Sequence, residues 1–158
     1  MIRAEDGFLG EFRYLYAARH LDYLAPQVVV EWAALVDAPP SAALVLADIS
    51  AVLDVSAATV DPLVAELAEV LGVPPMTEEL AGLLLGLHVA ERLIKGEVEA
   101  YPAAKMLWRI ARLAPRAEPS LRVFVGLASE WEDSPKFRPE YEEQIREACI
   151  DFIRSRSG

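Results

Sequence analysis

Proline and glycine recur about every fifteen residues along this chain, and between them apolar residues return with a period near 3.6 and almost never near 2. A stripe with that period belongs to an amphipathic helix, and with no period-2 segment to supply a sheet it is expected to be buried by laying helix against helix, which points to the all-α class. The β-branched runs Val28 to Val30 and Val123 to Val125 both lie inside helical periodicity and do not read as strands. The expectation is a single compact bundle of about seven or eight helices. With 158 residues, one helical domain covering residues 1–158 is the natural size.

The punctuation sets the boundaries. The first helix reads from about Gly7 to Leu21, with Phe8, Phe12, Leu15, Tyr16 and Arg19 on one face. Pro26 suits the first position of a second helix, which carries Val29, Trp32, Ala33 and Val36 inward and ends before Pro39. Ser41 caps a third through about Leu53, with Leu44, Ala47, Ile49 and Val52 facing in. Asp61 followed by Pro62 reads as the start of a fourth, closed by Gly72. Thr77, with Glu78 and Glu79 at the positive end of the dipole, opens a fifth that runs to Gly96. Helices starting at Pro102, Pro119 and Pro139 complete the chain; the last buries Tyr141, Ile145, Ala148, Cys149, Phe152 and Ile153. Helices three and five are apolar nearly all round, which predicts a central apolar pair with the amphipathic first and last helices outside it.

Charge is distributed unevenly. From His20 through Glu91 there is no lysine or arginine, while eleven acids fall in that stretch, which accounts for the whole net charge of −10. A one-sign field steers cationic partners and repels nucleic acid. The stretch from Ile49 to Leu71 has the rhythm of a helix-turn-helix, but its second helix offers Ala57, Ala58, Thr59, Val60, Asp61 and Leu63, with no base to neutralise a phosphate. DNA binding is not expected.

Other classes are narrowed as well. Cys149 is the only cysteine, so neither an internal disulfide nor a cysteine-rich zinc site can form, and its place on an apolar stripe makes it a small hydrophobe. The N-terminal residues lack the pattern of a secretory signal, and no apolar run reaches the ~18 to 20 residues of a membrane span. A cytoplasmic protein without membrane attachment is expected. His88 and Glu91 are one helical turn apart, in the reverse order of a di-metal carboxylate motif, with His20 the only other histidine. That reads as core packing, so no metal, cofactor or catalytic set is expected and the chain is not read as an enzyme. The alternative is a small-ligand or metal-binding helical enzyme using an inter-helix pocket built from His88, Glu91 and the Arg109 face; a structural homo-oligomeric module without catalytic function is the other.

Lys105, Arg109 and Arg112 share a helix face, and the simplest role for it is neutralisation of the acidic segment or of Glu142, Glu143 and Glu147. Glu130, Glu132 and Asp133 surround Trp131, which in that setting is the tryptophan expected at the surface.

The stretch from Gly96 to Ala148, with GEVEAYPAAKMLWRIA and FVGLASEWEDSPKFRPEYEEQIREA, resembles small acidic helical bacterial proteins, some of them similar to immunity proteins encoded beside toxins. The resemblance covers about a third of the chain and carries no set of functional residues. It implies neutralisation of a cognate toxin by occlusion. Charge and resemblance together point to an acidic binding protein, monomeric or homodimeric, that engages a basic protein partner. The expected contact residues are Asp54, Asp61, Glu66, Glu69, Glu130, Trp131, Glu132 and Asp133, an aromatic anchor among acids.

Overall fold

The computed structural model describes residues 4–156. Among them are eight α-helices, three short 3₁₀ turns and no strand, so the protein is all-α. Backbone contacts divide the chain into two compact units, Met1–Thr77 and Glu78–Gly158.

The first unit contains α1 (Ala4–His20), α2 (Pro26–Leu35), α3 (Ala43–Ser50) and α4 (Ala57–Leu71). α1 buries Phe8, Phe12, Leu15 and Arg19, the face its periodicity predicts, with Tyr16 partly covered. Phe8, Phe12 and Leu15 join Val29 and Ala33 of α2, Ile49 of α3 and Val60, Val64 and Leu67 of α4 in one core.

Two starts differ from the sequence reading. α3 is not capped by Ser41, which lies within a 3₁₀ turn, Pro40–Ala42, that leads into the helix. The inward face of α3 is Val45, Leu46 and Ile49; Leu44 is 82% exposed and Ala47 is also outside. When nearly every position is apolar the 3.6 period carries no phase, so the choice of face falls to the preceding turn and the neighbours. α4 begins at Ala57 with Ser56 at its N-cap, and Pro62 lies inside it. The start is tied by the Ser56 backbone N–H donating to Thr59 Oγ1 at 3.2 Å, while the Thr59 hydroxyl donates to the Asp54 carbonyl. Proline at 62 removes one helical bond to the carbonyl of Ala58, which lies on the exposed side. Gly72 closes α4 at φ 71°, the left-handed value that glycine adopts without steric cost.

The second unit contains α5 (Glu78–Ile94), α6 (Ala100–Leu113), α7 (Glu118–Asp133) and α8 (Arg138–Arg156). α5 packs against α6, α7, α8 and the 3₁₀ turn Pro115–Ala117. Its buried positions include Leu85, Val89 and Leu93, and full burial of a leucine contributes about 1.5–3 kcal/mol. Gly82 lets the helix approach that turn: a Cβ there would lie 2.6 Å from Ala117 Cβ and 2.8 Å from Ala114 Cβ. α8 buries Ile145, Cys149 and Phe152, while Tyr141, Ala148 and Ile153 are half-buried at the edge of the stripe.

Candidate functional site

In the first unit, Arg19 makes four side-chain hydrogen bonds to three partners. It follows the apolar face of α1 by one turn and is 5% exposed. Its Nε donates to Asp61 Oδ1 at 2.9 Å and its Nη2 to Asp61 Oδ2 at 3.1 Å, a bidentate pair joining α1 to α4. Nη1 donates to Asp22 Oδ1 at 2.9 Å and to the Leu24 carbonyl. The hydrogen bond to Asp61 holds the guanidinium pKa above its ordinary value, against the opposing effect of burial. Asp22 takes a positive φ of 53° in the turn that brings its carboxylate to this cation. Tyr16, Arg19, His20 and Asp61 face a cleft of about 330 Å³ closed on one side by Pro75 and Met76. Tyr16 fixes that side by accepting the Met76 backbone N–H at 3.2 Å. With its donors turned to Asp61, Asp22 and Leu24, Arg19 acts as a strut and has little left to give a ligand.

A larger open cleft of about 640 Å³ lies between α1 and α2. Its floor is Phe8 and Trp32, whose rings stack with centroids 5.4 Å apart, and Trp32 Nε1 donates to Glu11 Oε2 at 2.9 Å. Val28, 37% exposed, and Leu35, 88% exposed, form one wall, and Glu31 and Asp37 stand at its rim. None of the contact residues expected from sequence lines this cleft. A readable signal was present nonetheless. Val28, Trp32 and Leu35 are spaced i, i+4, i+7, a second apolar stripe on α2 beside the core stripe of Val29 and Ala33.

The structure distributes the expected contact residues over different environments. Asp54, Glu66 and Glu69 are exposed on the first unit, whereas Asp61 is held by Arg19. In the second unit Glu130, Glu132 and Asp133 are exposed at the end of α7, but Trp131 is not the free surface anchor expected of it. Its ring stacks on Tyr101 at 3.8 Å and 8°, and the Arg138 guanidinium lies 3.8 Å from its centroid. Two groups that close must occupy opposite faces of the indole, so Trp131 is the middle layer of a three-part stack. Its Nε1 donates to Glu142 Oε1 at 3.2 Å, and Arg138 Nε donates to the Trp131 carbonyl at 3.1 Å.

The neighbouring acids also have partners inside the unit. Glu132 accepts from the Tyr101 hydroxyl and from Lys105 Nζ, the latter at 3.2 Å, and these bonds pull its carboxyl below the usual carboxylate range. The same bond raises the Tyr101 phenol. Tyr141 donates to Glu130 Oε2 at 3.2 Å.

Lys105 of α6 pairs with Glu132, an acid outside those expected for it, while Arg116, in the 3₁₀ turn after α6, lies 4.0 Å from Glu78 of the acidic segment. Lys105 and Arg112 also flank Trp108, at 4.4 and 5.8 Å from its centroid, so part of this charge rests on an aromatic ring.

His88 is half-buried on α5, and burial, assisted by Arg92, lowers its pKa. Cys149 is fully buried, which pushes its thiol up to about 12, the opposite of what a nucleophile needs. Among the described residues no three His, Cys, Asp or Glu side chains come together as a metal site, and no helix is long and apolar enough to cross a membrane.

Compared with family models, curated proteins and solved structures, the chain finds no match.

Proposed function

We propose that this chain is a binding protein that engages a basic protein partner through the acidic surface of its first unit, and that it works without catalysis of its own. The observation that carries the reading is how the charge divides between the units. Residues 1–77 hold eleven acids and three bases, eight of the ten net negative charges, whereas residues 78–158 hold fourteen acids and twelve bases. Arg19 is buried against Asp61 and Asp22, which leaves Arg13 as the exposed cation among the described residues of that unit. A surface of one sign attracts an oppositely charged protein over roughly a Debye length and accelerates its docking.

Asp54, Glu66 and Glu69 belong to that surface under this reading. Glu130, Trp131, Glu132 and Asp133 would form a second, lesser contact, because the hydrogen bonds of Glu130, Trp131 and Glu132 within the unit compete with a partner. The resemblance of residues 96–148 to small acidic helical bacterial proteins, some of them similar to immunity proteins, favours a cognate toxin as the partner, occlusion as the mode of action and the cytoplasm as the place where they meet.

Capture of partners from the native host, followed by titration at about 50 mM and about 500 mM salt, tests the reading. The expected partner is basic and binds at least about tenfold more weakly at the higher salt. A partner that is acidic, or that binds equally well in both, would sink it.

A further inference from the structure

We propose that the cleft between α1 and α2 is the docking site for a short cationic amphipathic segment of another protein, which inserts an apolar side chain over Trp32 and sets lysine or arginine against Glu31 and Asp37. The inference rests on the binding reading above and adds the place and the chemistry of recognition. Its first support is the cleft itself: about 640 Å³, within the range of sites that hold a few side chains, and floored by stacked aromatic rings. The hydrogen bond to Glu11 fixes the orientation of the indole, so the floor is organised before anything binds.

The second support is an apolar excess that the fold does not use. α2 buries Val29, Val30 and Ala33 in the core, and its other stripe leaves Leu35 at 88% and Val28 at 37% exposure beside the cleft. Leucine gains nothing from that degree of exposure in the free protein, and covering it against an apolar side chain is favourable.

Complementarity of charge selects the occupant. Three carboxylates, Glu11, Glu31 and Asp37, line the cleft, and among the described residues no base does. An acidic segment would be repelled, and a purely apolar one would leave the rim charges partly desolvated without a partner. An apolar anchor flanked by cations meets both requirements.

The test is fluorescence anisotropy with a labelled peptide of repeated Leu-Lys-Lys-Leu, about sixteen residues long so that it can form a helix. Three variants are compared with the parent: Leu35→Ser; Glu31→Lys with Asp37→Lys; and Asp54→Lys with Glu66→Lys, which makes the same change of charge away from the cleft. All four substituted acids and Leu35 are exposed, so an unchanged thermal midpoint is expected throughout.

The cleft predicts a loss of at least roughly tenfold in the Glu31/Asp37 pair, roughly fivefold in Leu35→Ser and less than about threefold in the Asp54/Glu66 pair. It also predicts that a peptide with serine in place of leucine binds roughly tenfold more weakly. Equal losses in the two charge pairs, or undiminished binding of the serine peptide, would overturn the cleft and leave the acidic-surface reading standing. No binding of the parent peptide at about 50 mM salt would overturn both. Self-association of the protein alone that disappears in Leu35→Ser would place a second copy in the cleft and overturn the proposed occupant.

Discussion

Arg19 and Asp61 form a bidentate ion pair across forty-two residues of sequence, with the arginine side chain 3% and the aspartate side chain 40% exposed. Removing the two partners should therefore have unequal effects. Asp61→Ala leaves a buried guanidinium with Asp22 and Leu24 alone, and breaking a fully buried pair costs about 3–5 kcal/mol. The exposure of Asp61 discounts that to about 1–3 kcal/mol. Arg19→Met keeps much of the buried stem volume and frees a carboxylate that can hydrate, so its cost should be smaller. Urea denaturation of both variants and of the double substitution checks this, and an Arg19→Met loss larger than that of Asp61→Ala would refute the strut.

The glycines of the second unit give a prediction in which the sign is the test. A Cβ at Gly82 would meet two alanine Cβ atoms inside 3 Å, and neither can swing away because each is fixed to its own backbone. Gly82→Ala should therefore destabilise by about 1–3 kcal/mol. Gly126, within α7, has no atom within 4 Å of the same position, and Gly126→Ala should stabilise by about 0.4–1 kcal/mol through helix propensity and a less free unfolded chain. Thermal melts of the two variants should move in opposite directions.

The same contrast explains what could be read from sequence. Local information placed the helices: Pro26, Gly72 and the Glu78–Glu79 pair all mark real boundaries, because caps and prolines act within one turn. The face of α6 was legible too, since Lys105, Arg109 and Arg112 oppose the buried Leu107, Ile110 and Ala111. The face of α3 was not, because Leu44, Val45, Leu46 and Ala47 are all apolar and give no contrast. Asp61 looked like a cap beside Pro62, and only the fold brings Arg19 to it. Trp131 looked exposed from its acidic neighbours, yet its environment is set by Tyr101, thirty positions away on α6. The α2 cleft is hard to read from sequence because Trp32 packs against the core and also belongs to the second stripe, Val28, Trp32 and Leu35, so the two stripes merge.

His88 predicts the direction of stability in mild acid. Its folded pKa lies below the ordinary 6.5 because burial and Arg92 disfavour the charged ring. The unfolded chain takes up the proton first, so stability is full above about pH 6.5 and declines as the pH falls through that value. The slope from this one group cannot exceed about 1.4 kcal/mol per pH unit. His88→Gln should flatten the profile between about pH 7 and pH 5 relative to the parent. Denaturation curves that lose stability equally in both proteins over that range would show that His88 is not the sensor.

Cys149 reports on opening of the second unit. Its side chain is fully buried among α8 and its neighbours and its thiol is pushed up to about 12, so the thiolate that attacks a disulfide reagent is scarce and out of reach. In the native protein, reaction with an aromatic disulfide at pH 8 should proceed only through unfolding or local opening of α8, at a rate that falls with the free energy of that opening. In denaturant the thiol becomes an ordinary one, and reaction should be complete within minutes. Gly82→Ala, which loosens the packing of α5, should raise the native rate several-fold. A native rate equal to the denatured rate would mean that α8 does not cover its cysteine.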